Sequence, residues 1–152
     1  MILGIRCTNK DFSYAILSGP KQEIKVRDAS TLALPKGFSR GAEHKWLFQE
    51  LKKILENNSI RKIVVKKHEG RISSKNTYES RLELEGVVFL AGGENNIPVF
   101  KKAKATLAKD ICGKGKAKYI DTKVDTNIIP NFDDYSSNIK DAIICALSEI
   151  KL

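Results

Sequence analysis

The chain has 152 residues, 41% hydrophobic and 30% charged, which bounds it to one folded domain and excludes wholesale disorder. Lys and Arg number 27 against 18 Asp and Glu, and the resulting net charge of +9 points to an anionic partner, most often nucleic acid. No apolar run approaches the roughly 20 residues of a membrane span, the start lacks the features of a signal peptide, and Cys7, Cys112 and Cys145 are odd in number and far apart, so a cytoplasmic protein with reduced thiols, no membrane contact and no zinc site is expected.

Residues 2–7 and 12–17 are short β-rich runs split by the polar cluster Thr8-Asn9-Lys10-Asp11, which predicts a hairpin. A third strand is expected over residues 23–27, where Ile24 and Val26 alternate with charged residues. Residues 35–41 form a loop by composition. A helix follows over 42–57, with Leu47, Leu51, Ile54 and Leu55 as its apolar stripe and Phe48 widening it. His44 and Trp46 lie off that stripe, and His44 reads as a surface residue, not a base. Residues 60–66 hold a strand with the buried middle Ile63-Val64-Val65, and the helices on either side predict a parallel position in the sheet. A basic loop over 68–76 leads to a helix over 77–90, with Leu82, Val88 and Phe89 as core and Gly92-Gly93 as its stop. A short strand over 97–100 and a helix over 104–111, ended by Gly113, come next. Residues 122–134 form a connection. The last helix spans 138–150, capped by Ser136 or Ser137, with Ile139, Ile143, Ala146 and Ile150 on one face. This order gives an α/β class with a mixed sheet over a single domain, residues 1–152. The first strand and the 60–66 strand, apolar on successive residues, belong side by side in its middle, under the last helix.

The bases crowd residues 66–75 and 101–118. Gly113-Lys114-Gly115-Lys116-Ala117-Lys118 alternates lysines with small residues that let a phosphate approach the backbone, though it lacks the spacing of a Walker loop. Aromatics that could stack on bases are few (Tyr78, Phe100, Tyr119, Tyr135), so contact along a backbone is expected over base readout.

Four segments carry a resemblance to a known family. They are Ile2-Leu3-Gly4-Ile5 at the first strand, Ile63-Val64-Val65-Lys66 at the fourth, Lys109 through Ala117 with its Gly-x-Gly-x-Ala ending, and Asp141-Ala142 followed by Ala146-Leu147 in the last helix. Together they resemble the ribonuclease H-like fold of the RuvC Holliday-junction resolvases, and still more a small bacterial family with a degenerate form of that fold. The resemblance implies a five-stranded mixed sheet of order 3-2-1-4-5 flanked by helices. It also implies four carboxylates on two divalent metals, which this chain replaces with Arg6, Lys66, Asn138 and Asp141. Two cations, an amide and one acid do not make that metal site. No catalytic residue, metal or cofactor is therefore expected, and Arg6, Lys66 and Asp141 should converge in a salt-bridged cluster. The reading is a non-catalytic protein that binds nucleic acid through a basic cleft at Lys66, Lys67, Arg71, Lys114 and Lys116. The alternatives are a protein-interaction module, such as an accessory subunit or immunity-type inhibitor, and a metal-dependent nuclease with relocated acids, Glu69 or Asp11.

Overall fold

The computed structural model describes residues 1–150. Its strands are β1 (Ile2–Cys7), β2 (Asp11–Ser18), β3 (Lys25–Ala33), β4 (Lys62–Lys66) and β5 (Val99–Lys102). The helices are α1 (Arg40–Asn57), α2 (Lys75–Glu94), α3 (Lys104–Cys112), α4 (Tyr119–Thr122) and α5 (Ser137–Leu147). The strands form one sheet of order β3-β2-β1-β4-β5, the expected arrangement with β1 at its centre. β1 runs antiparallel to β2 and parallel to β4, pairing Ile2 with Leu17 and Lys62, and Ile5 with Tyr14 and Val65.

Alternation along the strands divides the core. Leu3, Ile5, Cys7, Ile63 and Val65 point to one face, where Leu47, Leu51 and Leu55 of α1 and Leu84, Val88 and Ala91 of α2 cover them. Ile2, Ala15, Leu17 and Val64 point to the other, under Leu107 of α3 and residues 142–147 of α5. α5 packs so tightly on β1 that a Cβ on Gly4 would stand 1.8 Å from the Ala142 carbonyl oxygen. Among the described residues, no helix is long and apolar enough to cross a membrane.

Several boundaries and faces differ from the sequence reading. β3 extends to Ala33, well past the predicted 23–27, because it pairs with β2 along its whole length. Its polar stretch Asp28 to Thr31 suits an edge strand and hides its strand character; Tyr14 Oη donates to Asp28 Oδ2 at 2.6 Å across the pair. Gly92-Gly93 does not stop α2, which continues to Glu94. Gly92 lies inside the helix because a Cβ there would stand 2.2 Å from Val99 Cγ2, so it serves the approach of α2 to β5. Val88 is buried, but Leu82 and Phe89 face outward, 38% and 41% exposed. The stripe of α2 facing the sheet runs through Arg81, Leu84, Glu85, Val88 and Ala91 and includes two charged residues, so hydrophobicity alone selects the wrong face. α5 ends at Leu147, short of 150. Trp46, off the α1 stripe, still packs against the core, edge-on to Phe12 at 6.3 Å.

Candidate functional site

Parallel β1 and β4 bring their C-terminal ends together, and α5, antiparallel to β1, starts beside them. Ser136 caps α5, its hydroxyl accepting from the Ile139 N–H, and the following turn delivers Asp141 to Arg6. Arg6 Nη1 donates to Asp141 Oδ2 in a pair about one quarter exposed. Lys66 ends β4 with its side chain 4% exposed and takes a different partner. Its Nζ donates to Glu69 Oε2 at 2.5 Å and to the Lys67 carbonyl at 2.8 Å. Glu69 Oε2 also accepts from the Lys104 backbone N–H at 2.9 Å, which ties the loop after β4 to the start of α3. Asn138 sits half-buried in the first turn of α5. The expected cluster thus divides into two pairs, Arg6–Asp141 and Lys66–Glu69.

Beneath them lies a buried pair that the sequence reading missed. Arg81 Nε donates to Glu85 Oε1 at 3.0 Å, and Nη2 donates to the Lys66 carbonyl at 2.9 Å. Lys101 Nζ approaches Glu85 from the sheet side at 2.5 Å. The available signal was an Arg and a Glu four residues apart on the same face as Leu84 and Val88. On a helix that also carries Lys75–Glu79, such spacing usually marks a solvated pair. The Cys7 and Cys145 thiols are pushed up to about 12 by burial, so both are inert at neutral pH.

Lys67 and Arg71 are exposed beside this site. Lys114 and Lys116 are exposed as well, but α3 starts at Lys104 next to Glu69 and carries the chain about 13 Å before Gly113 caps it. The loop then turns back along α3, with Gly115 near Ala105 and Lys109. Two concavities flank the Arg6–Asp141 pair. One, of about 210 Å³, includes Arg6, His68 and Arg71; the other, of about 350 Å³, includes Lys104, Phe132, Lys140 and Asp141.

The donor set does not fit two divalent metals. Hard cations need several oxygen ligands, and the four positions supply one carboxylate, already held by Arg6. Among the described residues no three His, Cys, Asp or Glu side chains are grouped to hold an ion.

A sheet of order 3-2-1-4-5, with α1 and α2 on one face and α3 and α5 on the other, is the ribonuclease H-like fold. Within that class the resemblance is to RuvC and other Holliday-junction resolvases. The structure of T. thermophilus RuvC in complex with Holliday junction substrate matches with a TM-score of 0.78 at 14% identity, covering 97% of this chain and 90% of that one. Yeast mitochondrial Ydc2 matches at 0.66 and 13% identity, covering 98% and 77%. The Fowlpox virus resolvase matches at 0.58 and 13% identity, covering 99% and 98%. At these identities the likeness is one of fold. No protein-family model and no curated protein matches the sequence.

The ion pairs set an expected pH response. Burial opposes the ionised form of Glu149, but bonds from Lys102 and Lys62 outweigh it and hold its pKa below the ordinary carboxylate value. Glu69 behaves likewise: burial opposes its charge, and Lys66 and the Lys104 N–H prevail. A carboxylate whose pKa is lower folded than unfolded contributes stability above the unfolded value, near 4.3, and loses it as pH falls through the folded one. Melting temperature should therefore hold from pH 7 to about 5 and decline below. Glu149→Gln should lower it at pH 7 by several degrees, as expected for about 1.5–3 kcal/mol, and make the acid decline shallower. An unchanged acid decline would remove Glu149 from this account.

Proposed function

We propose that the chain is a non-catalytic RuvC-like protein that binds nucleic acid through the basic surface at the C-terminal ends of β1 and β4. The observation that carries this reading is the exchange of charge there. Arg6, one residue before the end of β1, and Lys66, the last of β4, stand where a metal-dependent nuclease of this fold needs acids, and each is already seated on a carboxylate that a backbone phosphate could replace. Lys67, Arg71 and Lys75 continue the basic surface on one side, Lys104 and Lys140 on the other. The T. thermophilus RuvC and Fowlpox resolvase structures hold Holliday-junction DNA on this fold, which supports the same class of partner. The relocated acids weigh against a nuclease: Glu69 is engaged by Lys66, and Asp11 Oδ1 accepts from the Thr8 hydroxyl at 2.8 Å.

A protein-interaction module is the second reading, favoured by the outer face of α2, where Leu82, Phe89 and Leu90 (57%) stand exposed together. A salt titration of binding to duplex DNA and to RNA separates the two. Each phosphate contact on duplex DNA contributes about −0.9 to the log–log slope of affinity against salt. Replacing Lys67 and Arg71 by Ala should flatten that slope by about two units, whereas Lys53→Ala on α1 should change it far less. The same measurement with Lys114 and Lys116 replaced decides whether the contact extends along α3. Failure of the wild-type chain to bind at low salt would pass the lead to the protein partner.

A further inference from the structure

The concavity on the Arg6 side has a wall without a single acid. Arg6, Arg71 and Arg81 contribute three guanidinium groups, His68 and Tyr78 contribute rings, and hydroxyl, amide and aliphatic side chains complete it. Two wall residues carry a buried N–H with no partner among the described residues. Arg81 Nη1 lies 3.2 Å from His68 Nδ1, and a guanidinium only donates, so Nδ1 accepts and the ring hydrogen sits on Nε2. That Nε2 is buried and unpartnered. Arg6 commits Nη1 to Asp141, and its buried Nε is unpartnered as well. Both atoms are sealed beneath the wall surface, so they add positive charge behind it that no acceptor offsets, and an anionic ligand suits such a wall.

The rest of the wall narrows the ligand. Arg81 engages each of its three nitrogens, with Glu85, His68 and the Lys66 carbonyl, so it is held in place and supplies charge and shape. Arg71 is exposed and stands outside every ion pair of the described residues, free to meet an anion. The opening turn of the 20-residue helix α2 supplies Thr77 and Tyr78 and the positive end of its dipole. The His68 and Tyr78 rings pack 5.1 Å apart, and Ile72, half exposed, stands beside them as an apolar surface. A phosphate suits the guanidinium groups and a base suits the rings and Ile72. A volume of about 210 Å³ falls below the roughly 300–1,000 Å³ of sites for drug-sized ligands, so the space suits one unit and not a stretch of strand.

We propose that this concavity binds a single nucleoside monophosphate unit, with its phosphate at Arg71 and Arg6 and its base against Tyr78 and Ile72. The unit is either free nucleotide or the 5′ end of a strand; in the second case the inference rests on the nucleic-acid reading above. The test is an NMR titration of the ¹⁵N-labelled chain with inorganic phosphate, a nucleoside, its 5′-monophosphate, and single strands with and without a 5′-phosphate. The monophosphate should shift amides of residues 71–78 and bind at least ten-fold more tightly than phosphate or nucleoside alone. Arg71→Gln and Tyr78→Leu should each weaken it at least five-fold. Arg71, being exposed, keeps the test valid if Tyr78→Leu fails to fold. A gain from the 5′-phosphate on a strand assigns the unit to strand ends, and equal binding of both strands assigns it to free nucleotide. Absent shifts at residues 71–78, or an Arg71→Gln chain that binds as well as wild type, would overturn the proposal. Nucleotide binding without duplex binding would leave the concavity and remove the wider groove; duplex binding without a nucleotide response would do the reverse.

Discussion

Gly4→Ala should leave no stably folded protein. Gly4 sits mid-strand in β1, paired with Ala15 on one side and Val64 on the other, so the strand cannot slide without breaking both ladders. An added Cβ would stand 1.8 Å from the Ala142 oxygen and 2.8 Å from the Ala146 nitrogen. These are backbone atoms of α5 and cannot rotate away as a side chain would. Ordinary overpacking costs about 1–3 kcal/mol, and a backbone clash at the central strand exceeds it, against a total of roughly 5–15 kcal/mol for a domain of this kind. Insoluble protein, or loss of the cooperative thermal transition, is the expected readout. Gly86→Ala is the control, because nothing lies within 4 Å of its Cβ position on the outer face of α2. It should stabilise the chain by about 0.5–1 kcal/mol. A Gly4→Ala chain that melts like wild type would mean that α5 does not pack on β1 as described, and the Arg6–Asp141 pair would go with it.

Glu85→Ala should cost about 3–5 kcal/mol in urea denaturation, the penalty for stranding a buried charge. Glu85 is 1% exposed and pairs with Arg81, itself 8% exposed, and with Lys101. Without the carboxylate, Arg81 keeps its charge largely buried, with only His68 and the Lys66 carbonyl as partners. Replacing both Arg81 and Glu85 by Met should recover much of the loss, since removing both charges lifts the desolvation cost that removing one exposes. The Arg81 bond to the Lys66 carbonyl adds a second readout: on the nucleic-acid reading proposed above, the single variant should also weaken duplex binding by loosening the end of β4. A cost below about 1 kcal/mol for Glu85→Ala would show that the pair is hydrated.

Much of this architecture was legible in the chain. Successive apolar residues in Ile2 to Ile5 and Ile63 to Val65 placed both strands inside the sheet, because only a strand covered on two faces tolerates that pattern. The stripe of α1 was legible because Leu47, Leu51 and Leu55 recur at helical spacing without competing charges. α2 was misread because its inward stripe carries Arg81 and Glu85 while Leu82 and Phe89 look outward, a choice made by ion pairing across α2 and β5 and not by hydrophobicity. β3 was read short because an edge strand needs little apolar character when its partner supplies the hydrogen bonds.

The candidate site divides the same way. Residue identity alone set the charge at the strand ends: Arg6, Lys66 and a single Asp141 cannot present four carboxylates to two metals, however the chain folds. Which cation meets which acid was decided only by tertiary structure. Arg6 reaches Asp141 because α5 lies antiparallel on β1, and Lys66 takes Glu69 because α3 starts beside it and its first N–H completes the carboxylate's bonds. The acid-free wall beside Arg6 joins residues from β1, the loop after β4 and α2, and local sequence carries no record of that meeting. Charge and periodicity are written residue by residue, whereas partners and cavities arise from segments brought together by packing.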